Sequence, residues 1–195
     1  MQPIPRIAVF ASGNGSNAQR LADYFSGTGI LEIAVIYCNN PDAYVLKRAE
    51  ILGIPTVEFN RSTFYNTTAI LDDMKNRGID WIILAGFLWL IPDYIIHEYP
   101  GRIVNIHPAL LPLYGGKGMY GMRVHQAVVA AADPESGISI HYVNEHYDEG
   151  DIIFQARCKV NSSDTAETLA AKIHELEYEH FPRVLRNLIA GAKKS

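Results

Sequence analysis

The feature that most constrains the fold is a regular alternation of short apolar runs with longer amphipathic segments over the first two-thirds of the chain. Short apolar runs are typical of buried strands, and the segments between them have helical spacing. The predicted strands are Ile7–Ala11, Glu32–Cys38, Thr56–Phe59, Trp81–Ala85 and Arg102–Ile106. The predicted helices are Asn17–Phe25, Ala43–Leu52, Phe64–Arg77 and Pro92–Glu98. This alternation predicts an α/β fold with a doubly wound, mainly parallel sheet.

The last third of the chain has a different pattern. A glycine-rich loop, Tyr114–Gly121, is followed by a predicted helix over Arg123–Ala132. Two predicted strands, Ile138–Asn144 and Asp151–Val160, flank the polar turn His146–Gly150, which indicates a hairpin.

A long terminal helix is predicted from about Asp164 to Ala190. Asp164 and Glu167 have the spacing of a capping box at its start. Pro182 is expected to kink the helix or break it locally, because proline has no N–H to donate.

Composition favours a single domain over residues 1–195, with a substantial core, since 48% of the residues are hydrophobic and 19% are charged. The net charge of −4 argues against general nucleic-acid binding. The longest apolar stretch, Trp81–Ile96, is interrupted by glycine and proline and does not suit a membrane span. Cys38 and Cys158 form no Cys-x-x-Cys pair, and no signal peptide is evident. We therefore expect a cytoplasmic protein without disulfides.

Asn105 and His107 are the first candidate functional residues. They end a predicted strand just before Pro108, and residues two apart in a strand point to the same side. An amide can stabilise a developing oxyanion, and an imidazole can move a proton near neutral pH. The pair suggests acyl or formyl transfer without a covalent enzyme nucleophile, although a lone histidine is often only a core residue.

The segment Ser12–Asn17 is a candidate phosphate cradle, because it joins the first strand to the first helix and contains Gly13 and Gly15. The acidic residue that binds the ribose of a nicotinamide dinucleotide is missing after the second strand, where Asn39 and Asn40 stand instead. A mononucleotide or sugar phosphate fits better. The alternative is a tight turn that binds no ligand.

A polar cluster over His141–Asp151 is the third candidate. Most of its charges suit a solvated turn, and Asp148 is the exception, because a carboxylate near His107 would raise the pKa of that imidazole. A metal site made by His141, His146 and Asp148 is an alternative, although the spacing matches no common zinc motif.

Two further positions are ambiguous. Glu177 leans toward the apolar face of the terminal helix, where it could bind a sugar diol or could instead reach water at the edge. The apolar segment Leu84–Pro92 could leave a slot for a flat heterocycle near Gly86, or could serve only the core.

In combination and in this order, these segments resemble the folate-dependent phosphoribosylglycinamide formyltransferases, also called glycinamide ribonucleotide transformylases. The resemblance rests on Ser12–Asn17, Leu84–Phe87, Asn105–Pro112 and His141–Gly150, and it covers nearly the whole chain. It implies a seven-stranded Rossmann-like sheet. It also implies transfer of the formyl group of 10-formyltetrahydrofolate to the amine of 5-phosphoribosylglycinamide in de novo purine (IMP) biosynthesis. We expect no metal, because the oxyanion would already have hydrogen-bond donors, and we expect a monomer or homodimer.

The resemblance also implies site residues. Asn105, His107 and Asp148 match the family's catalytic trio. The residues that match its phosphate and ribose site are Gly13, Asn14, Gly15, Ser16, Asn17 and Glu177. The residues that match its folate site are Leu88, Trp89, Leu90, Ile91, Asn105, Asn144 and Asp148. The N-terminal half would then bind the ribonucleotide, and the C-terminal half would bind folate and carry the catalytic residues.

The sequence departs from the family pattern at three places. Trp89 stands where arginine is common in the family. The arginine that commonly helps to bind folate in the family aligns near Ser62, and Arg61 is the adjacent residue. The loop Gly115–Gly121 is longer than usual. Two other functions remain open at this level: hydrolysis of 10-formyltetrahydrofolate, with water as the acceptor, and nucleotide binding without catalysis.

Overall fold

A computed structural model describes residues 3–192 of the chain. Within these residues the strands are β1 (Arg6–Ala11), β2 (Glu32–Cys38), β3 (Thr56–Glu58), β4 (Trp81–Leu84), β5 (Ile103–His107), β6 (Glu135–Tyr142) and β7 (Ile152–Lys159). The helices are α1 (Ser16–Phe25), α2 (Tyr44–Leu52), α3 (Arg61–Asn66), α4 (Ala69–Asn76), α5 (Asp93–Glu98), α6 (Met122–Ala130) and α7 (Ala166–Ala192). The mostly alternating order along the chain confirms the predicted α/β class.

In the described part of the chain, all seven strands form one sheet in the order β3-β2-β1-β4-β5-β6-β7. The first five pair in parallel, and β6 and β7 add as an antiparallel hairpin. The predicted mainly parallel, doubly wound sheet and the predicted hairpin are therefore confirmed. The strand order reverses between β1 and β4, where parallel strands leave a crevice at their carboxyl ends.

The core lies on both faces of the sheet. Ile7 and Val9 of β1 pack on the side that carries α1, α2, α6 and α7. Ala8 and Phe10, which alternate with them, pack on the side of α3, α4 and α5. A central parallel strand buried on both faces must be apolar at every position, which explains the continuous apolar runs in the sequence.

The single helix predicted over Phe64–Arg77 is wrong, since α3 and α4 are separate. Thr67 lies between them in an extended conformation, with φ −139°. Its hydroxyl donates a hydrogen bond of 2.7 Å to the carbonyl oxygen of Thr63. A threonine side chain that bonds to the preceding turn offers the backbone an alternative to the helical ladder, and the helix ends there.

The terminal helix α7 also differs from its prediction. It runs through Pro182 without a break in the helix. It is capped by Thr165 and Thr168, whose side chains each accept a hydrogen bond from the other's backbone N–H. Asp164 does not act as the cap, because its carboxylate accepts bonds from the Asn161 N–H and the Lys172 ammonium group. A break at Pro182, one of the two predicted outcomes, is therefore wrong, and so is the predicted capping pair.

None of the helices in residues 3–192 combines the length and the apolar character that crossing a membrane requires. Cys38 is buried and Cys158 is partly buried, and both are free thiols.

Candidate active site

A cavity of about 650 Å³ opens at the carboxyl ends of β1, β4 and β5. It lies at the point where the strand order reverses, which is the usual ligand site of an open α/β sheet. Asn105 and His107 reach it from β5, and Asp148 reaches it from the connection between β6 and β7. The structure thus brings Asp148 next to Asn105, which lies 43 positions earlier in the sequence.

His107 is held by two neighbours. Its Nε2 atom lies 2.8 Å from the carbonyl oxygen of Tyr114. Its Nδ1 atom lies 3.5 Å from Oδ2 of Asp148. Because a carbonyl oxygen can only accept, we assign the ring hydrogen of the neutral imidazole to Nε2. Nδ1 then presents a lone pair beside the carboxylate.

The pKa values of His107 and Asp148 are both lowered. Burial lowers the pKa of His107, although the nearby carboxylate of Asp148 acts to raise it. Burial acts to raise the pKa of Asp148, but interactions with His141 and His107 outweigh it, so that this pKa is lowered. The expectation that Asp148 would raise the pKa of His107 is wrong in its net direction, because the histidine is only 4% exposed. At neutral pH the pair is a neutral imidazole beside an ionised carboxylate.

The amide of Asn105 is oriented by a second buried histidine. Its Nδ2 atom lies 3.0 Å from Nε2 of His141 and 3.4 Å from Oδ1 of Asp148. Nδ1 of His141 lies 2.7 Å from the carbonyl oxygen of Tyr142, so Nδ1 carries the hydrogen and Nε2 accepts from Asn105. The sequence hypotheses considered His141 only as a metal ligand. The signal for this contact is the antiparallel register, in which His141 lies directly opposite Asn105.

Asp148 has an unusual backbone conformation, with φ 57°, and glycines allow the surrounding chain to approach it. Its Oδ2 atom accepts a hydrogen bond of 2.9 Å from the Gly116 N–H. A Cβ atom on Gly115 would lie 3.2 Å from the Cβ of Asp148, and one on Gly150 would lie 1.8 Å from the carbonyl oxygen of Tyr142. Glycine is therefore required at position 150 because the chain passes close to the end of β6, as well as for the tight turn.

The turn after β1 lines the same cavity from Gly13 to Asn17. Gly15 precedes α1 in the left-handed conformation, with φ 76°. A Cβ atom at this position would also lie 2.4 Å from Cγ2 of Val45. The first backbone N–H groups of α1 have no partners within the helix, so the turn offers donors and the positive end of the helix dipole to an anion.

Arg48 supports this turn from outside the cavity. Its side chain donates hydrogen bonds of 2.9 Å to both the carbonyl oxygen and Oδ1 of Asn14. The side-chain oxygen of Asn14 therefore already has a hydrogen-bond partner within the protein. Sequence reasoning missed Arg48, since the contact joins α2 to a turn 34 residues earlier.

Glu177 lies on the cavity side of α7 and is only 5% exposed, so the alternative in which it reaches water is wrong. Its Oε2 atom accepts a hydrogen bond of 2.9 Å from Nδ2 of Asn17. Nδ1 of His174 also lies 2.9 Å from Oε2. The hydrogen bond with Glu177 raises the pKa of His174. The structure thereby places a carboxylate next to the turn Gly13–Asn17.

The segment proposed for folate divides between two cavities. Leu88 lines the large cavity, whereas Trp89, Leu90 and Ile91 line a smaller one of about 50 Å³. Asn105 and Asp148 line both of these cavities. The side chain of Asn144 lines neither cavity.

Aromatic side chains surround this segment. The ring of Trp89 lies 5.9 Å from that of Phe59 and 6.0 Å from that of Phe64. The guanidinium of Arg61 lies 5.2 Å from the Trp89 ring centroid and also borders the large cavity. The same stretch of chain thus contributes both to aromatic packing and to the walls of the two cavities.

Within residues 3–192, no group of three or more His, Cys, Asp or Glu side chains is arranged to hold a metal ion. The metal site considered for His141, His146 and Asp148 is therefore not formed in the structure. Nε2 of His141 is directed instead at the amide of Asn105.

A helix-start turn with free backbone N–H groups and an amide–imidazole–carboxylate cluster line one cavity of a doubly wound sheet, which is the architecture of an α/β group-transfer protein. The model of the formyl transferase family matches residues 5–185. The chain belongs to this family.

Relatives and solved structures agree with this assignment. A phosphoribosylglycinamide formyltransferase of Bacillus subtilis is 35% identical over 189 residues, which cover 94% of each chain. The chloroplastic phosphoribosylglycinamide formyltransferase of Arabidopsis thaliana is 37% identical over 92% of this chain, which spans 64% of that longer protein. A crystal structure of the phosphoribosylglycinamide formyltransferase of Anaplasma phagocytophilum superposes with a TM-score of 0.87 at 32% identity, covering 95% of this chain and 87% of that one. The predicted family resemblance is confirmed.

Proposed function

We propose that this chain transfers the formyl group of 10-formyltetrahydrofolate to the amine of 5-phosphoribosylglycinamide, a step of de novo purine biosynthesis. The observation that carries the proposal is that the phosphate-binding turn and the Asn105–His107–Asp148 cluster open into one cavity. A sugar phosphate held at one end would present its far end to the cluster. Family membership supports the same chemistry.

The ribonucleotide would be bound by groups from both ends of the chain. Its phosphate would accept hydrogen bonds from the N–H groups of Gly13–Asn17 at the start of α1. Its ribose hydroxyls would donate to Glu177, which Asn17 and His174 hold in place. The domain would then be a single unit, in which the C-terminal helix completes the phosphate end of the site.

The folate would lie along Leu88–Ile91 and the Asn144–Asp148 turn. The flat pteridine would extend from the large cavity toward Trp89, past Asn105 and Asp148, which line both cavities. This shared wall would place the formyl group next to the acceptor amine. Binding energy from both substrates would thereby be used to orient the reacting atoms.

The reaction is direct attack of the amine nitrogen on the formyl carbon. A C–N bond forms, and the carbonyl electrons move to the oxygen, giving a tetrahedral intermediate. An Asn105 N–H would donate to this oxyanion, since the bond from Nδ2 to Asp148 is long at 3.4 Å and can be exchanged. The bond from carbon to folate N10 then breaks, which yields the formylated amine and tetrahydrofolate.

One proton must leave the amine and reach N10. Neutral His107 can accept it at Nδ1, directly or through water, and Asp148 at 3.5 Å stabilises the imidazolium that forms. The return of this proton to N10 restores the neutral imidazole. The route uses a neutral His107, because burial lowers the pKa of this residue despite the nearby carboxylate of Asp148.

The decisive assay supplies 5-phosphoribosylglycinamide and 10-formyltetrahydrofolate to the purified protein and follows both products. We expect deformylation of the folate only when the ribonucleotide is present, with formation of one formylated ribonucleotide per folate. Deformylation without the ribonucleotide would identify a hydrolase instead. Binding of the ribonucleotide without any turnover would identify a binding module.

We also propose that the enzyme is cytoplasmic and works as a monomer or homodimer. Light scattering coupled to gel filtration distinguishes these two assemblies from larger ones. A larger stable assembly would contradict the proposal.

A further inference from the structure

Tyr114, in the loop after β5, has a backbone conformation that residues with side chains rarely adopt. Its φ is 55°, and within residues 3–192 only Ala132 and Asp148 share a positive φ without being glycine. The left-handed conformation is unfavourable for a residue with a Cβ atom, and it persists only where surrounding contacts impose it. Tyr114 and Asp148 are also the two partners of the His107 ring. The unusual conformations therefore occur where the chain must meet His107.

The side chain of Tyr114 is attached to a second element. Its hydroxyl group donates a hydrogen bond to Oδ2 of Asp133. Asp133 follows the end of α6, directly after Ala132, which has a φ of 53°. Neither Tyr114 nor Asp133 is among the described residues that line the large cavity. Their hydrogen bond therefore acts on the loop, which it fixes beside the end of α6, and does not act directly on a substrate.

The backbone carbonyl group of Tyr114 competes with Asp148 for the ring hydrogen of His107. The carbonyl oxygen lies 2.8 Å from Nε2, and Oδ2 of Asp148 lies 3.5 Å from Nδ1. Both oxygens can only accept, and a neutral imidazole has one N–H to donate. The carboxylate alone would favour the hydrogen on Nδ1, whereas the carbonyl oxygen favours it on Nε2. The shorter contact decides for Nε2.

Only one of these two tautomers serves the proposed reaction. With the hydrogen on Nε2, the lone pair of Nδ1 is free to accept the proton of the attacking amine. With the hydrogen on Nδ1, the lone pair is on Nε2, which faces the loop backbone at Tyr114. The position of one carbonyl oxygen thus determines whether His107 can act as the base.

We propose that Tyr114 and Asp133 are positioning residues, whose side-chain hydrogen bond holds the Tyr114 carbonyl oxygen against His107 and keeps this histidine in the tautomer that accepts the proton. The catalytic consequence rests on the proposed function, whereas the tautomer itself can be measured without turnover. The same hydrogen bond accounts for the left-handed conformation of Tyr114 in a loop that has no glycine at this position.

Three substitutions test the hydrogen bond. Tyr114→Phe removes the hydroxyl group and keeps the ring, Asp133→Ala removes the acceptor, and Asp133→Asn keeps an oxygen that can accept. We expect Tyr114→Phe and Asp133→Ala each to lower kcat roughly tenfold, which is part of the contribution of a well-oriented general base. The KM for each substrate should change less than about twofold, because no substrate contact is lost. Asp133→Asn should recover most of the activity.

The double variant Tyr114→Phe/Asp133→Ala separates this hydrogen bond from independent effects of the two residues. Both single substitutions break the same contact, so the double variant should be no slower than either one. Losses of kcat that multiply in the double variant would overturn the proposal, as would wild-type kcat in Tyr114→Phe.

The tautomer is measured by NMR, from the chemical shifts of the imidazole nitrogens in isotope-labelled protein. His107→Gln identifies the signals of this ring among the seven histidines. We expect the hydrogen on Nε2 in the wild type and in Asp133→Asn, and a larger share on Nδ1 in Tyr114→Phe and Asp133→Ala. An unchanged tautomer in these two variants would overturn the proposal.

Tyr37→Phe is the matched control, since it also removes a hydrogen bond from a tyrosine hydroxyl to an aspartate, in this case Asp73 at 2.6 Å. It should lower the midpoint of urea unfolding and leave kcat and the tautomer of His107 unchanged. An equal loss of kcat in this control would show that Tyr114→Phe acts only through stability, and would contradict the positioning role. If the wild type does not formylate the ribonucleotide, the proposed function fails, and the tautomer comparison still decides whether Tyr114 and Asp133 position His107.

Discussion

Asp148 is the residue on which most contacts of the site converge. Its two oxygens face the side chains of Asn105, His107 and His141, and one of them accepts from the Gly116 N–H. An ionised carboxylate at this point can fix the donors around it and stabilise a proton on His107. Its charge and its shape therefore make separate contributions that a substitution can distinguish.

Asp148→Asn keeps the shape and removes the charge. We expect kcat to fall by roughly 10²-fold or more, because the imidazolium formed during proton transfer loses its counter-charge. Affinity for the ribonucleotide, measured by calorimetry, should stay largely intact, since the phosphate turn is untouched. A proportional loss of both would show that Asp148 has a structural role instead.

The protonation state of His107 predicts the acid side of the pH–rate profile. The residue must be neutral to accept a proton, and burial lowers its pKa below the ordinary value of about 6.5. We expect the loss of kcat/KM that is due to His107 to occur only below this value, separate from the decrease that protonation of the substrate's own α-amino group causes below about pH 8. Activity that increases as the pH falls through this range would show that the imidazolium is the working form.

At the scale of elements, the junction of β1 and α1 determines the shape of the turn Gly13–Asn17, which is proposed to bind the phosphate. Gly15 is required by its left-handed conformation and by contact with Val45. A Cβ atom on Gly13, by contrast, would meet nothing within 4 Å. Of the two glycines of this motif, only Gly15 is therefore required by the fold.

Gly15→Ala should destabilise the fold by about 1–3 kcal/mol, because it combines an unfavourable φ with a steric clash. Gly13→Ala is the matched control and should change the free energy of unfolding by less than about 0.5 kcal/mol. Urea denaturation of both variants provides the measurement. Equal losses in the two variants would contradict this account of the turn.

Long-range contacts decide which elements serve the site. Helix α7 was predicted from its amphipathic pattern, but its contact with the phosphate turn depends on a hydrogen bond between residues 160 positions apart. The loop after β5 likewise supplies the Tyr114 carbonyl oxygen and the Gly116 N–H to His107 and Asp148. Backbone groups carry no signature in the sequence, so these supports were not predictable.

For the whole molecule, the buried titratable groups predict how stability depends on pH. His107 and His125 have lowered pKa values, and protonation therefore favours the unfolded chain. Their contribution is complete above the unfolded pKa of about 6.5 and is lost as the pH falls below it. His174 has a raised pKa and acts in the opposite direction, but it is half-buried and its effect is screened.

We therefore expect the free energy of unfolding to decrease between pH 7.5 and pH 5.5. His125→Leu should show a smaller decrease, because it removes one of the two groups responsible. Urea denaturation at the two pH values measures both. An unchanged or increased stability at pH 5.5 would contradict the lowered pKa values.

The sequence by itself determined the α/β class, the order of the strands along the chain, the glycine turn between β1 and α1 and the polar pair at the end of β5. These features follow from local periodicity and from residues close together in the chain, which a sequence displays directly. Only the tertiary structure decided that His141 orients Asn105, that Arg48 supports Asn14, and that the Tyr114 hydroxyl group bonds to Asp133. It also reversed the expected pKa shift of His107, because burial is a property of the folded molecule and outweighs a neighbouring charge.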